Sequence, residues 1–238
     1  MAVTTLVIAT IIVTIGATLQ GSVGFGLGMF SVPLLLLVAP VLIPGPLICS
    51  SMALTLLLTH REWHAVRLAD IKWALAGRLV GVAVAVTVLA IMPTDGLGLL
   101  LGALVLVAVG VSVSGVRLSV SPRTLLGAGT LSGFMGTVVS IGGPPVALLY
   151  QHESGPRIRG TLSAYFVLGV SMSLVGLHFV GRFGLTEFLL ALELLPGILV
   201  GFLLSRRIAG ALDRGRTRSA VLMVSALSGV GVLIKQLL

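Results

Sequence analysis

Apolar runs divided by charge, glycine and proline give five segments in each half of the chain. They fall at about 4–19, 27–43, 46–60, 71–91 and 96–116, and then at about 124–140, 143–151, 159–180, 186–204 and 217–237. Most approach the roughly 20 apolar residues that a helix needs to cross a bilayer. The run 143–151 is too short to cross alone, and the glycines at 21–28 and 133–143 interrupt their neighbours. Backbone at membrane depth must satisfy its hydrogen bonds within the protein, so each half is expected to open with a broken or re-entrant hairpin.

The two interruptions resemble one another. LQGSVGFGLGMFSVPLLLL at 19–37 aligns without a gap to LSGFMGTVVSIGGPPVALL at 131–149, matching Leu19 with Leu131, Gly21 with Gly133, Gly24 with Gly136 and Pro33 with Pro145. Gly77 and Gly81 in the fourth segment are echoed by Gly197 and Gly201 in the ninth, both at the four-residue spacing that lets helices approach closely in lipid. Basic residues cluster in alternate connections. Arg61, Arg67 and Lys72, then Arg117 and Arg123, then Arg157 and Arg159, then Arg206, Arg207, Arg214, Arg216 and Arg218 mark the cytoplasmic side, whereas 40–46 and 92–95 carry none, 181–185 carries Arg182, and Lys235 lies by the C-terminus. An odd number of segments per unit reverses the second half relative to the first. The expectation is an all-α polytopic membrane protein with two inverted-topology repeats, residues 1–118 and 119–238, and both termini on the non-cytoplasmic side of the cell membrane.

Composition sharpens this. Of 238 residues, 57% are hydrophobic and 9% charged, and the mean hydropathy is +1.18, which leaves too little polar sequence to cover a water-soluble surface. The formal charge of +8 is spread thinly between apolar segments, with no soluble module to present it to nucleic acid. The first segment lacks a basic lead and a small-residue cleavage site, so it reads as a retained span. Cys49 has no second thiol to pair with. His60 and His64 share a helical spacing, but only Glu62 and Asp70 are available nearby and the loop is short, so no metal and no cofactor is expected.

A helix that starts inside the bilayer leaves its first amides unpaired and puts partial positive charge there, which suits an oxyanion. The expected binding residues are therefore those of the breaks: Gln20, Ser22, Gly24, Gly26, Gly28 and Ser31 in the first, and Gly136, Thr137, Ser140, Gly142, Gly143 and Pro144 in the second. The glycines permit close backbone approach, and the hydroxyls add donors or else bond back to their own helices. Few ionisable residues lie within spans, and two of them are candidates for function. Arg78, about one and a half turns past Trp73, is expected to snorkel to the cytoplasmic surface, with a counter-charge role as the other reading. Glu193, mid-span without a cation neighbour in sequence, is a candidate for proton coupling. Tyr150, Tyr165, Trp63 and Trp73 fall near expected ends, where aromatic rings favour the interface.

The blocks GSVGFGLGMFSVPLLL, GTVVSIGGPPVALL, RIRGTLSAYFVLG at 157–169 and RFGLTEFLLALELLPGILVGFLLSRRI at 182–208 resemble the TauE/SafE-like sulfite and organosulfonate transporters over nearly the whole chain. The stretch HREWHAVRLADIKWAL matches that family only loosely, and no role carries over to it. The resemblance implies passage of a small sulfur-containing oxyanion such as sulfite or a sulfonate. The expected activity is secondary transport by alternating access, driven by a gradient, since no GxxxxGK[ST] nucleotide motif is present. Partners are then the small anion, the membrane lipid and a coupling proton or ion, and an oligomer is compatible with the sequence. The alternatives are a passive anion channel and an integral-membrane enzyme such as a lipid phosphatase. The breaks lack the acidic, basic and histidine residues that such an enzyme needs.

Overall fold

The structure, a computed structural model, describes residues 3–92, 94–114, 118–151 and 153–212. The expected tenth segment, Arg117, His152, Arg214, Arg216, Arg218 and Lys235 lie outside the described residues. Among those described the chain is helical without strands: α1 (Val3–Val23), α2 (Leu27–Val38), α3 (Gly45–Arg61), α4 (Leu68–Ile91), α5 (Thr94–Val113), α6 (Pro122–Val139), α7 (Gly143–Ala147), α8 (Gly155–Phe179) and α9 (Leu185–Leu212). Four helices, α1, α4, α8 and α9, are long and apolar enough to cross a membrane. Their outward faces are apolar at mid-helix, with Leu79, Leu189 and Leu203 each more than half exposed. A water-soluble surface does not tolerate such belts, and lipid requires them. The chain is an all-α polytopic membrane protein.

The helix ends follow local chemistry. Ser121 caps α6 through a reciprocal hydrogen-bond pair with Thr124, followed by Pro122 at the first helical position. The second segment is shorter than its apolar run suggests. It ends at Val38, and Pro40–Leu42 forms a separate 3-10 turn, because the proline at 40 cannot donate back into the preceding helix. At 12 residues α2 is about 18 Å long, little more than half a membrane crossing.

Small residues set the packing. The most intimate pairs are α4 with α6 and α1 with α9. A Cβ on Gly77 would run into the Leu126 carbonyl, one on Gly81 into that of Thr130, one on Gly129 into that of Ala74 and one on Gly133 into that of Arg78. Gly197 and Gly201 lie likewise against Thr10 and Thr14 of α1. Within each pair the contacts climb both helices together, so the partners run parallel. α3 packs against α8 and α9, and α4 also packs against α8.

The two ends of the bundle differ in charge. At one, Arg61 donates to the Gly21 carbonyl at 2.6 Å and to Ser205 Oγ at 3.0 Å, while Arg159 donates to the Ser22 carbonyl at 3.1 Å. Glu62 Oε1 accepts from both guanidiniums, at 3.1 Å and 3.0 Å. Arg67 and Arg157 pair with Glu153 beside them, and the Arg157 hydrogen bond holds the Glu153 carboxyl below its usual range. At the opposite end Ser140 Oγ donates to the Pro44 carbonyl at 3.2 Å, and Arg182 donates to that of Leu89 at 3.4 Å. Thus α1 runs toward the basic end and α6 away from it, in opposite directions.

Candidate functional site

Both interruptions are narrower than the glycine runs that signal them. In the first, α1 continues to Val23, and Gly24 (φ 100°) and Gly26 (φ 140°) turn the chain through backbone angles closed to side-chain-bearing residues. Gln20, buried near the end of α1, accepts from the Leu27 N–H through Oε1 at 3.2 Å and so satisfies one free amide of α2. The amide of Gly28, also in that first turn, has no partner one turn back, and Gly28 and Met29 line the cavity described below. In the second interruption Ser140 ends α6 in the left-handed region (φ 59°), and Gly142 leads into α7. Pro144 and Pro145 occupy the first turn of α7 and remove two of its donors. The halves are therefore unequal, since two prolines remove donors from α7 and none does so in the first turn of α2.

The interruptions touch. A Cβ on Gly28 would run into the Ser140 carbonyl, and one on Gly143 would lie 2.8 Å from Phe25 Cβ. Between them is a cavity of about 50 Å³, room for an anion of a few heavy atoms. Of the residues expected from sequence, Gln20, Gly26, Gly28, Gly136, Ser140, Gly142, Gly143, Pro144 and Arg78 line it. Ser22 instead bonds back to the Thr18 carbonyl at 2.7 Å, and Ser31 Oγ donates to the Ile12 carbonyl at 3.4 Å. Gly24 packs on Ile158 and Arg159, and Thr137 shares a hydrogen bond with Ser173 at 2.8 Å. Glu193 faces outward from α9, away from the cavity.

Arg78 does not snorkel. It is 2% exposed and its guanidinium reaches into the bundle. Nη1 donates to Ser132 Oγ at 3.2 Å and Nη2 to Ser173 Oγ at 3.4 Å, while Nε is buried without a hydrogen-bond partner. The guanidinium carbon stands 5.2 Å from the Tyr165 ring centroid and 5.8 Å from that of Phe166, a cation–π seat in a water-poor setting. Ser132 is fully engaged: it accepts from Arg78 and from the Tyr165 hydroxyl at 3.0 Å, and donates to the Gly142 carbonyl at 2.6 Å. Gly169 makes the space, since a Cβ there would collide with Arg78 Nε. No carboxylate pairs with Arg78 among the described residues. A guanidinium buried without an anion is costly, and here two serine hydroxyls and two aromatic faces are what it meets. In α9 the position that Gly197 and Gly201 align with Arg78 holds Ile198, fully buried.

Sequence reasoning missed the walls. Leu47, Ile48, Ser51 and Thr55 of α3, and Phe166 and Val170 of α8, complete the cavity, yet at helical spacing they look like any packed face. Tyr165 and Tyr150 were expected at the interface and are buried at 1% and 2% exposure; Tyr165 serves the Arg78 seat. Trp63 and Trp73 are exposed, as an interfacial position requires.

A family model described as Sulfite exporter TauE/SafE matches residues 8–232, a span that includes both interruptions and Arg78. No curated protein and no solved structure matches the chain. With nearly its whole length matched by that model, the chain belongs to the TauE/SafE sulfite exporter family.

Proposed function

We propose that this protein is a secondary carrier for small sulfur-containing oxyanions, sulfite or organosulfonates, working by alternating access around the cavity between the two interruptions. Arg78 is the observation that carries this reading: a buried guanidinium, free of carboxylate partners among the described residues, at a small cavity that the first turn of α2 also lines. Family membership supplies the substrate class. The opposed directions of α1 and α6, and the paired packing of α4 with α6 and of α1 with α9, support two inverted units, residues 1–118 and 119–238, that rock against each other. The basic end then lies in the cytoplasm and both termini lie outside.

Proteoliposomes test the proposal with a panel of sulfite, sulfate, thiosulfate, taurine and sulfoacetate. Arg78→Gln keeps hydrogen-bonding capacity but removes the charge. It is expected to lower flux of the best substrate at least tenfold, the order expected for loss of a charge-assisted contact. Wild-type flux in Arg78→Gln would remove the anion site. Saturation and counterflow mark a carrier, whereas flux proportional to concentration without counterflow marks a channel.

A further inference from the structure

Resting on that reading, we infer that the site is selective for charge state: it takes oxyanions as monoanions and rejects dianions of the same size. The cavity lining holds one formal charge among the described residues, that of Arg78, and no Asp, Glu, His or Lys. Its walls otherwise combine apolar side chains, Phe25, Leu47, Ile48, Phe166 and Val170, with the uncharged polar groups of Gln20, Ser51, Thr55 and Ser140. One free amide of α2 is already taken by Gln20, and two of α7 are deleted by proline, so the helix ends add a partial charge and not a second full one. Attraction to a fixed charge grows in proportion to the charge of the guest. The desolvation cost of entering such a pocket grows with its square, so a second negative charge doubles the gain and quadruples the cost.

The titratable groups nearby do not change this balance. Against α4 pack α6, with Arg123 in its first turn, and α8, with Arg157 and Arg159 at its start and His178 at its far end. On α4 itself Asp70 and Lys72 lie in the first turns, on α3 Cys49, His60 and Arg61 lie off the cavity lining, and on α5 Asp95 is at the start. Tyr165 stacks on Arg78, and its hydroxyl is committed to Ser132. A proton that travels with the substrate is therefore carried on the oxyanion itself. Sulfite, whose last proton leaves near neutrality, would move as the hydrogen sulfite ion.

Binding to the purified full-length protein, followed by thermal stabilisation in detergent, tests this with a pair of matched shape: methanesulfonate, a permanent monoanion, and sulfate, a dianion. Methanesulfonate should stabilise equally across about two pH units around neutrality. Sulfite should weaken by about tenfold per pH unit once its last proton is lost, as mass action on the protonated species requires. Sulfate should give no stabilisation. All stabilisation should vanish in Arg78→Gln. Sulfate matching methanesulfonate, or sulfite affinity indifferent to pH, overturns the charge selectivity while leaving the Arg78 site standing if Arg78→Gln still abolishes binding. Stabilisation that persists unchanged in Arg78→Gln, or none with any of the anions, overturns the site and the inference together.

Discussion

Gly28 and Gly169 are both irreplaceable in geometry, for different reasons. Gly169 yields its volume to a guanidinium, a group at the end of a flexible side chain. Gly28 yields its volume to the Ser140 carbonyl, which belongs to backbone already held in the left-handed region. Neither side of that crossing can give way without moving an interruption. Gly28→Ala is expected to destabilise the protein by roughly 1–3 kcal/mol, seen as a lower melting temperature in detergent, because overpacking at a rigid contact is not relieved by rotamer change. Melting unchanged from wild type would show that the two interruptions are not locked together. The breaks were legible as glycine runs, but which glycines line the cavity was not. Gly24 and Gly26 look alike in sequence, yet one packs on α8 and the other faces the space. Arg78 was misread because its depth was judged along its own helix. The room that holds it is made by Gly136, Gly142 and Gly169, none of them its neighbours in sequence.

At the level of helices, close approach without side chains holds the bundle together, since lipid gives no hydrophobic drive between apolar helices. α6 offers a direct comparison. Gly129 faces the α4 backbone, whereas Gly127, two residues earlier, meets nothing. Gly129→Leu should separate α4 from α6 and cost roughly 2 kcal/mol or more. Gly127→Ala should be neutral or stabilising by roughly 0.5 kcal/mol through helix propensity. Unfolding in a graded detergent series measures both, and equal effects would show that the contact with α4 carries no weight. Helix positions were largely legible because long apolar runs between basic connections leave little freedom. Ends were less so: α1 runs to Val23 and α9 to Leu212, past Pro196, since backbone within lipid stays helical until another element can satisfy it.

Across the whole molecule, one acid gathers the basic end. Glu62 bridges Arg61 and Arg159, which in turn cover the Gly21 and Ser22 carbonyls at the end of α1, so α1, α3, α8 and α9 meet at a single carboxylate. Cations at the C-terminal end of a helix are favourable, but two of them together depend on the charge between them. Glu62→Gln is expected to lower stability by about 2 kcal/mol, the partial solvent access of the cluster tempering the full cost of a broken buried pair. Melting with and without high salt checks it, because screening should recover part of the loss. No recovery would assign the loss to packing instead. Nothing in the order of residues announced this junction, since Arg61, Glu62 and Arg159 look like ordinary positive-inside punctuation until α3 and α8 are brought side by side.

Arg78 stands in one half where the other has Ile198. A shuttle assembled from mirror-equivalent parts would rest with equal ease open to either face. In the proposed carrier, anchoring the cavity's cation to α4, α6 and α8 removes that degeneracy, so with no cargo aboard the protein should dwell in a preferred stance, and loading and unloading should proceed at different speeds from the two sides of the membrane.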